Sequence, residues 1–354
     1  MIDAIYYQGI FLFIVAFFTF FCFMRYYSYG GTILEWKGSP LILAIALSFF
    51  IGFRPIHRVF ADTVGYASYY NSHINLPFSF SVDVENILFD NLLEFMSSNG
   101  FSYSIFFLVI AFIYFIGRYI SCRKMFPNNS WAAYLVFLGA FLTFASSVNG
   151  IKAGAAASIF VCAVAYKDNK ILSVILLLTS WGFHHSMHLC ILAFIAVSLY
   201  KNTKFYSLFW IFCLLVAIMH ISYFQNLFAG LTDEKSARYL IDEEGWMTGM
   251  RYDFVLYSFI PILLGWYYRF RKKVEDVEYD FLLNLYMLIN GLWLLCMYAN
   301  FTNRIAALSW LLYPIVLIYP YFSVNIQIKN KNKTFSVVMA VHLLFTLFMA
   351  VVYY

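Results

Sequence analysis

The chain has 354 residues, of which 63% are hydrophobic, 22% aromatic and 12% charged, with a formal net charge of +5 and a mean hydropathy of +0.76. So much apolar surface exceeds what one water-soluble core can bury, which excludes a soluble globule and indicates a single all-α, polytopic membrane domain over residues 1–354. The small positive balance comes from short loops and gives no reason to expect nucleic acid.

Met1-Ile2-Asp3 carries no basic stretch, and no small-residue cleavage site follows the first apolar run, so that run reads as a retained helix and not a signal peptide. Twelve apolar segments are expected, at 4–25, 40–53, 101–120, 131–148, 153–166, 171–184, 188–200, 205–224, 253–269, 280–299, 305–323 and 335–353. Four of them (40–53, 153–166, 171–184 and 188–200) fall short of the ~20 residues that span a hydrocarbon core, and read as partial spans or helices shielded by neighbours. Cys22, Cys162, Cys190, Cys213 and Cys296 lie inside segments and Cys122 in a loop, a pattern of free thiols and not of a disulfide framework. Phe facing lipid and Tyr or Trp at the headgroups account for most of the aromatic content.

Alternation of the segments places Arg25/Lys37, Arg118/Arg123/Lys124, Lys167/Lys170, Lys201/Lys204, Arg269/Arg271/Lys272/Lys273 and Lys329/Lys331/Lys333 on one side, which is therefore the cytoplasmic one, with both termini outside. The long connections 54–100 and 225–252 then both face outward. In the first, Val84, Ile87, Leu88, Leu92, Phe95 and Met96 recur at helical spacing, and Asp83, Glu85, Asp90 and Glu94 take other positions. This predicts an acidic surface helix that covers the bundle. The second, from Asp233-Glu234-Lys235 to Asp242-Glu243-Glu244, mixes both signs and reads as a mobile, solvated lid.

Seven of the 23 Lys and Arg oppose this topology: Arg54, Arg58, Lys152, Lys235, Arg238, Arg251 and Arg304 fall on the outer side, which makes them candidates for holding an anion. Arg54 to Asp62 packs two Arg, a His and an Asp into nine residues after a segment that Pro55 would terminate. The bland alternative is interfacial anchoring, with Asp62 pairing Arg58. Lys152 follows the tight Ser146–Ile151 stretch and opens a helix, where an ammonium works against the helix dipole. After it, Ala153-Gly154-Ala155-Ala156-Ala157-Ser158 permits close helix packing.

At Phe183-His184-His185-Ser186-Met187-His188, His184 and His188 share a helical spacing, but a zincin needs Glu where His185 stands and no second histidine box occurs, so no metal is signalled. A neutral imidazole taking a proton from a hydroxyl fits better. Arg304 begins the eleventh segment, and its planar guanidinium can hold two phosphate oxygens at once. Arg238-Tyr239 and Arg251-Tyr252 lie in the second long loop, where exposed Arg is commonplace. No Gly-x-Ser-x-Gly elbow or Walker loop is present, and no tandem repeat supports an inverted-repeat transporter.

These residues resemble the Wzy/EpsG-type polymerases of bacterial exopolysaccharide and O-antigen. The likeness rests on Arg54, Asp62 and Tyr66 after the second segment, Lys152 opening a small-residue helix, the Phe183-His184-x-Ser186 turn, the Arg238-Tyr239 loop and the late Arg304, in family order across nearly the whole chain. Lys152 stands where members usually have Arg, and Ala61 where a Gly commonly precedes the Asp. The resemblance implies a GT-C-like bundle of about twelve helices in the bacterial inner membrane, with its active site facing the periplasm. It implies a glycosyltransferase that moves a growing polysaccharide from undecaprenyl pyrophosphate onto a newly flipped lipid-linked repeat unit, with no nucleotide sugar, ATP or other cofactor. A flippase and a chain-length regulator would be its partners. His184 and Asp62 would be catalytic, and Arg54, Arg58, Tyr66, Lys152, Arg238, Tyr239 and Arg304 would bind substrate. Between the two candidate bases His184 is preferred, since Arg54 and Arg58 flank Asp62 and favour its charged, weakly basic form. An O-antigen ligase-like transferase and a flippase of lipid-linked oligosaccharide are the alternatives.

Overall fold

The computed structural model describes residues 2–29, 35–36, 38–230, 234–241 and 248–353, and among them every regular element is helical. Lys37, Asp233 and residues 242–244 lie outside the described residues, as do the side chains of Lys235 and Tyr239. In chain order the helices are α1 (Tyr7–Ser28), α2 (Leu41–Gly52), α3 (Thr63–Ser72), α4 (Ile87–Ser98), α5 (Tyr103–Met125), α6 (Ser130–Leu138), α7 (Thr143–Val148), α8 (Ile151–Ala165) and α9 (Lys170–Phe183). There follow α10 (Met187–Leu199), α11 (Thr203–Ile218), α12 (Tyr223–Ala229), α13 (Glu234–Ile241), α14 (Tyr252–Trp266), α15 (Val277–Leu295), α16 (Thr302–Trp310), α17 (Tyr313–Phe322) and α18 (Lys331–Tyr353).

Two corrections concern the spans. Among the described residues, four helices are long and apolar enough to cross a membrane: Ala4–Ser28, Tyr103–Met125, Thr302–Phe322 and Lys331–Val352. A fifth results only if α11 and α12, bent by 100°, count together, so twelve full spans are not observed. The four segments expected to be short are short, as α2, α8, α9 and α10. The apolar run 131–148 is not one helix, because residues 139–142 break it between α6 and α7. Distant hydroxyls satisfy the backbone freed there: Thr346 Oγ1 donates to Gly139 O at 2.7 Å and Tyr114 OH to Thr143 O at 3.1 Å.

The chain forms two compact units, Met1–His188 with Ile328–Tyr354, and Leu189–Gln327. In the first, α2 packs on α5, α5 on α8, α8 on α9 and α1 on α18. Small residues set the spacing: a Cβ on Gly52 would lie 2.6 Å from Leu108 Cα, and one on Gly117 3.1 Å from the Ser158 side chain. Ser158 Oγ donates across to Tyr114 O at 2.8 Å and Ser180 Oγ to Ala156 O at 2.7 Å, so the small-residue run brings helices together as expected. Because α5 continues to Met125, Arg118 and Cys122 are buried within it and do not lie in a loop. All six cysteines are free and buried.

In the second unit α11 lies along α15. Trp210 Nε1 donates to Asn290 Oδ1 at 2.7 Å, and Asn290 passes the chain to Ser309 Oγ at 2.9 Å. Buried polar side chains paired this way fix the helix register. At the start of α15, Asp276 caps Glu278 and Tyr279 N–H and also accepts from Tyr319 OH, Ser323 Oγ and Asn325 Nδ2. The described part of the long connection 225–252 contains α13 and most of α12, so it is largely helical.

Candidate functional site

At the end of the first unit where α2 and α9 finish and α5 and α8 begin, the chain gathers most of the expected site residues. Arg54 follows α2 and folds back into the protein. Its Nη1 donates to Ile51 O at 3.0 Å, its Nη2 to Thr63 Oγ1 at 2.9 Å and to Val148 O at 3.0 Å, and the guanidinium lies over the Phe107 ring at 4.6 Å. The residue is 2% exposed, and burial lowers its pKa to about 9, which leaves it cationic at neutral pH. In this geometry the guanidinium holds protein oxygens and offers no open fork to a ligand. Arg58 is exposed on a short turn, Arg58–Phe60, anchored by buried Phe60.

Asp62 stands at the entry to α3, and its backbone N–H donates to Asn149 Oδ1 at 3.0 Å. Arg54, Thr63 and Asp62 thus grip the 148–149 turn that sets the direction of α8, whose second residue is Lys152. Its Nζ lies 2.9 Å from Asp90 Oδ1, and 5.1 and 5.8 Å from the centroids of the Phe89 and Tyr66 rings.

Asp90 joins this lysine to the histidine turn. Its Oδ2 accepts from Asn86 N–H at 3.0 Å, and Asn86 Oδ1 accepts from His185 N–H at 3.1 Å. The His184 and His185 rings stack at 4.9 Å, and His185 Nδ1 lies 3.3 Å from Glu85 Oε1. At His184, Nδ1 faces both Ser186 N–H at 3.3 Å and Ser186 Oγ at 2.7 Å. The backbone N–H can only donate, which makes Nδ1 an acceptor and puts the proton of a neutral ring on Nε2.

A cleft of about 410 Å³ opens beside Lys152, lined by Tyr66, Tyr69, Glu85, Phe89 and Asp90 among others. Tyr66 and Lys152 are the residues of this cleft that the sequence points to, whereas Tyr69, Asn86, Phe89 and the pairing role of Asp90 emerge only in the structure. The one available signal was electrostatic: an ammonium at a helix N-terminus calls for a nearby carboxylate. The predicted face of α4 needs correction by about one position, since Phe89, Leu93 and Met96 are buried whereas Leu88 and Phe95 are exposed. Asp90 is therefore drawn inward to Lys152 and does not lie on a solvated face.

The second unit carries the remaining expected residues. Arg304 is exposed in the first turn of α16, with its guanidinium over the Phe301 ring at 4.6 Å. Arg238 is exposed in the last turn of α13. Arg251 forms a two-point pair with Asp253, at 3.0 and 2.6 Å, and stacks on Phe254. No group of three His, Cys, Asp or Glu suited to a metal ion occurs among the described residues.

The first unit thus defines a helical membrane protein with a lysine–carboxylate pair set in an aromatic-lined cleft beside a histidine turn. Residues 39–354 match the EpsG family, and the chain belongs to that family, which is linked to exopolysaccharide biosynthesis. No curated protein matches the chain, and no solved structure does.

Proposed function

We propose that this EpsG-family protein is a polysaccharide polymerase, a glycosyltransferase that joins lipid-pyrophosphate-linked repeat units at the outer face of the bacterial cytoplasmic membrane. The observation that carries the reading is the arrangement around Lys152: an ammonium held by Asp90 at an aromatic-lined cleft, with the His184–Ser186 turn tied to the same carboxylate through Asn86. In the reaction, an acceptor hydroxyl oxygen attacks the anomeric carbon of the growing chain. The bond from that carbon to the pyrophosphate oxygen breaks, and the lipid pyrophosphate leaves with the electron pair. Cationic side chains favour that departure, and a base must take the hydroxyl proton.

His184 is the preferred base. Because its lone pair is on Nδ1, facing Ser186 Oγ, the proton would reach it through the Ser186 hydroxyl: the acceptor donates to Ser186 as Ser186 donates to Nδ1. Asp62 would orient the acceptor. Arg304 and Arg238 are proposed pyrophosphate ligands, a role that suits exposed guanidinium groups. Arg54 is proposed as a positioning residue, acting through the 148–149 turn on Lys152.

The test is the size of the surface polysaccharide and the lipid that accumulates in a deletion strain. Loss of a polymerase leaves single lipid-linked repeat units on the outer face. Single units trapped on the inner face would identify a flippase and overturn the proposal.

A further inference from the structure

We infer that the cleft beside Lys152 is a subsite for the sugar of the acceptor and not for the pyrophosphate; the word acceptor rests on the polymerase reading, whereas the sugar preference rests on the cleft alone. Two carboxylates, Glu85 and Asp90, line it with a single ammonium, and Asp90 already lies 2.9 Å from that ammonium. A third carboxylate, Glu94, accepts at 3.0 Å from the hydroxyl of Tyr69, one of the lining residues. A pyrophosphate entering here would meet more negative charge than positive. Its one cationic partner would be a lysine, which lacks the guanidinium's two-point fit to phosphate.

The same lining suits a polyol. Carboxylates accept from sugar hydroxyls, and Lys152 donates to a hydroxyl or ring oxygen. Tyr66 and Tyr69 offer apolar faces with polar tips, and Tyr69 is 43% exposed. The volume of about 410 Å³ lies within the ~300–1,000 Å³ usual for small-molecule sites. Sugar recognition also accounts for a point charge at position 152, where a bidentate group would bring no advantage.

The experiment uses the full-length protein in phosphatidylcholine nanodiscs and two probes: the single-repeat oligosaccharide released from the strain's own polysaccharide, and geranyl pyrophosphate. Tyr69→Ala and Glu85→Gln alter exposed side chains at the cleft, and thermal melting verifies that each still folds. Each variant should weaken the oligosaccharide about tenfold, equivalent to ~1.4 kcal/mol, and change geranyl pyrophosphate by less than about twofold. The inference is overturned if wild type does not bind the oligosaccharide, if neither variant weakens it, or if the variants change pyrophosphate binding and spare the sugar. A strain that polymerises without the protein, alongside sugar binding that responds to both variants, would remove the polymerase reading and leave the sugar site standing. Polymer loss on deletion without sugar binding would remove only this inference.

Discussion

Arg54 and Lys152 occupy the same end of the first unit and both carry positive charge, yet the protein uses them in opposite ways. Arg54 is buried, and its Nη donors are engaged by Ile51 O, Val148 O and Thr63 Oγ1. Lys152 keeps part of its side chain accessible, pairs with one carboxylate and borders an open cleft. Each of these cations has something anionic or electron-rich beside it. Whether that partner is the protein's own backbone or a ligand depends on what the neighbouring loops bring, and those contacts are remote in sequence.

Arg54→Ala should produce the largest effect and break the comparison most directly. It removes charge-assisted bonds from a buried site, each worth ~1.5–3 kcal/mol, so a loss of at least ~3 kcal/mol is expected. It should be seen as reduced membrane abundance and a lowered melting temperature in detergent. Arg54→Lys should not rescue it, because an ammonium cannot reproduce the fork that reaches three acceptors. Normal abundance with absent polymer would show instead that Arg54 acts on substrate.

Lys152→Ala should do the reverse. Loss of a partly exposed ion pair costs no more than ~1 kcal/mol, so the protein should accumulate while chain extension fails. Lys152→Arg should retain polymer. In a double-mutant cycle with Asp90→Asn, a coupling of about 1 kcal/mol in stability is expected, and zero coupling would show that the 2.9 Å contact contributes nothing. Ser186→Ala sharpens the same contrast for the base: it should slow extension strongly without changing donor binding. Unchanged turnover would exclude the Ser186 relay.

Much of this end of the molecule was legible in the sequence, for identifiable reasons. The four short helices and the close packing at Gly154 and Ser158 depend on local length and side-chain size, which a sequence displays directly. The placement of Lys152 at the start of a helix was equally local. Breaks inside apolar runs were not legible, because residues 139–142 leave the helix where Thr346 and Tyr114, remote in sequence, donate hydroxyls to the carbonyls that flank the break, Gly139 O and Thr143 O. The face of α4 was misjudged by one position for a similar reason. Hydropathy ranks Leu88 and Phe95 with Phe89 and Leu93, and only the neighbours on α3, α5 and α9 decide which are covered.

Asp276 is the anionic counterpart of Arg54 and tests whether a saturated buried charge behaves the same way in the second unit. Burial alone would raise its pKa, but bonds from Ser323, Tyr279 N–H, Asn325 and Tyr319 outweigh that and hold it below the ordinary value. A depressed carboxylate pKa adds stability above the unfolded value of ~3.9, and that stability is lost as pH falls through the folded pKa. Asp276→Asn should therefore cost ~1–2 kcal/mol at pH 7, since an amide presents one acceptor where several donors converge. The gap from wild type should narrow below about pH 4. A constant gap from pH 7 to pH 3 would show that charge is not what Asp276 contributes.

The smallest expected effect lies between Arg54 and Asp62. Ala61 is held at φ 41°, on the left-handed side where a Cβ is disfavoured, and its N–H donates to Arg58 O at 2.9 Å to close the turn before Asp62. Glycine adopts positive φ without steric cost and would suit this position. Ala61→Gly removes the strain but frees the unfolded chain, so the net gain should be no more than ~1 kcal/mol, with a melting temperature raised by roughly 1–3 °C. Polymer length should stay unchanged, because the turn geometry that delivers Asp62 N–H to Asn149 is the one glycine prefers. A lowered melting temperature would mean that the methyl group is held by contacts worth more than the strain. The turn would then belong with Arg54, as part of the clamp, and not with the accessible side chains around Lys152.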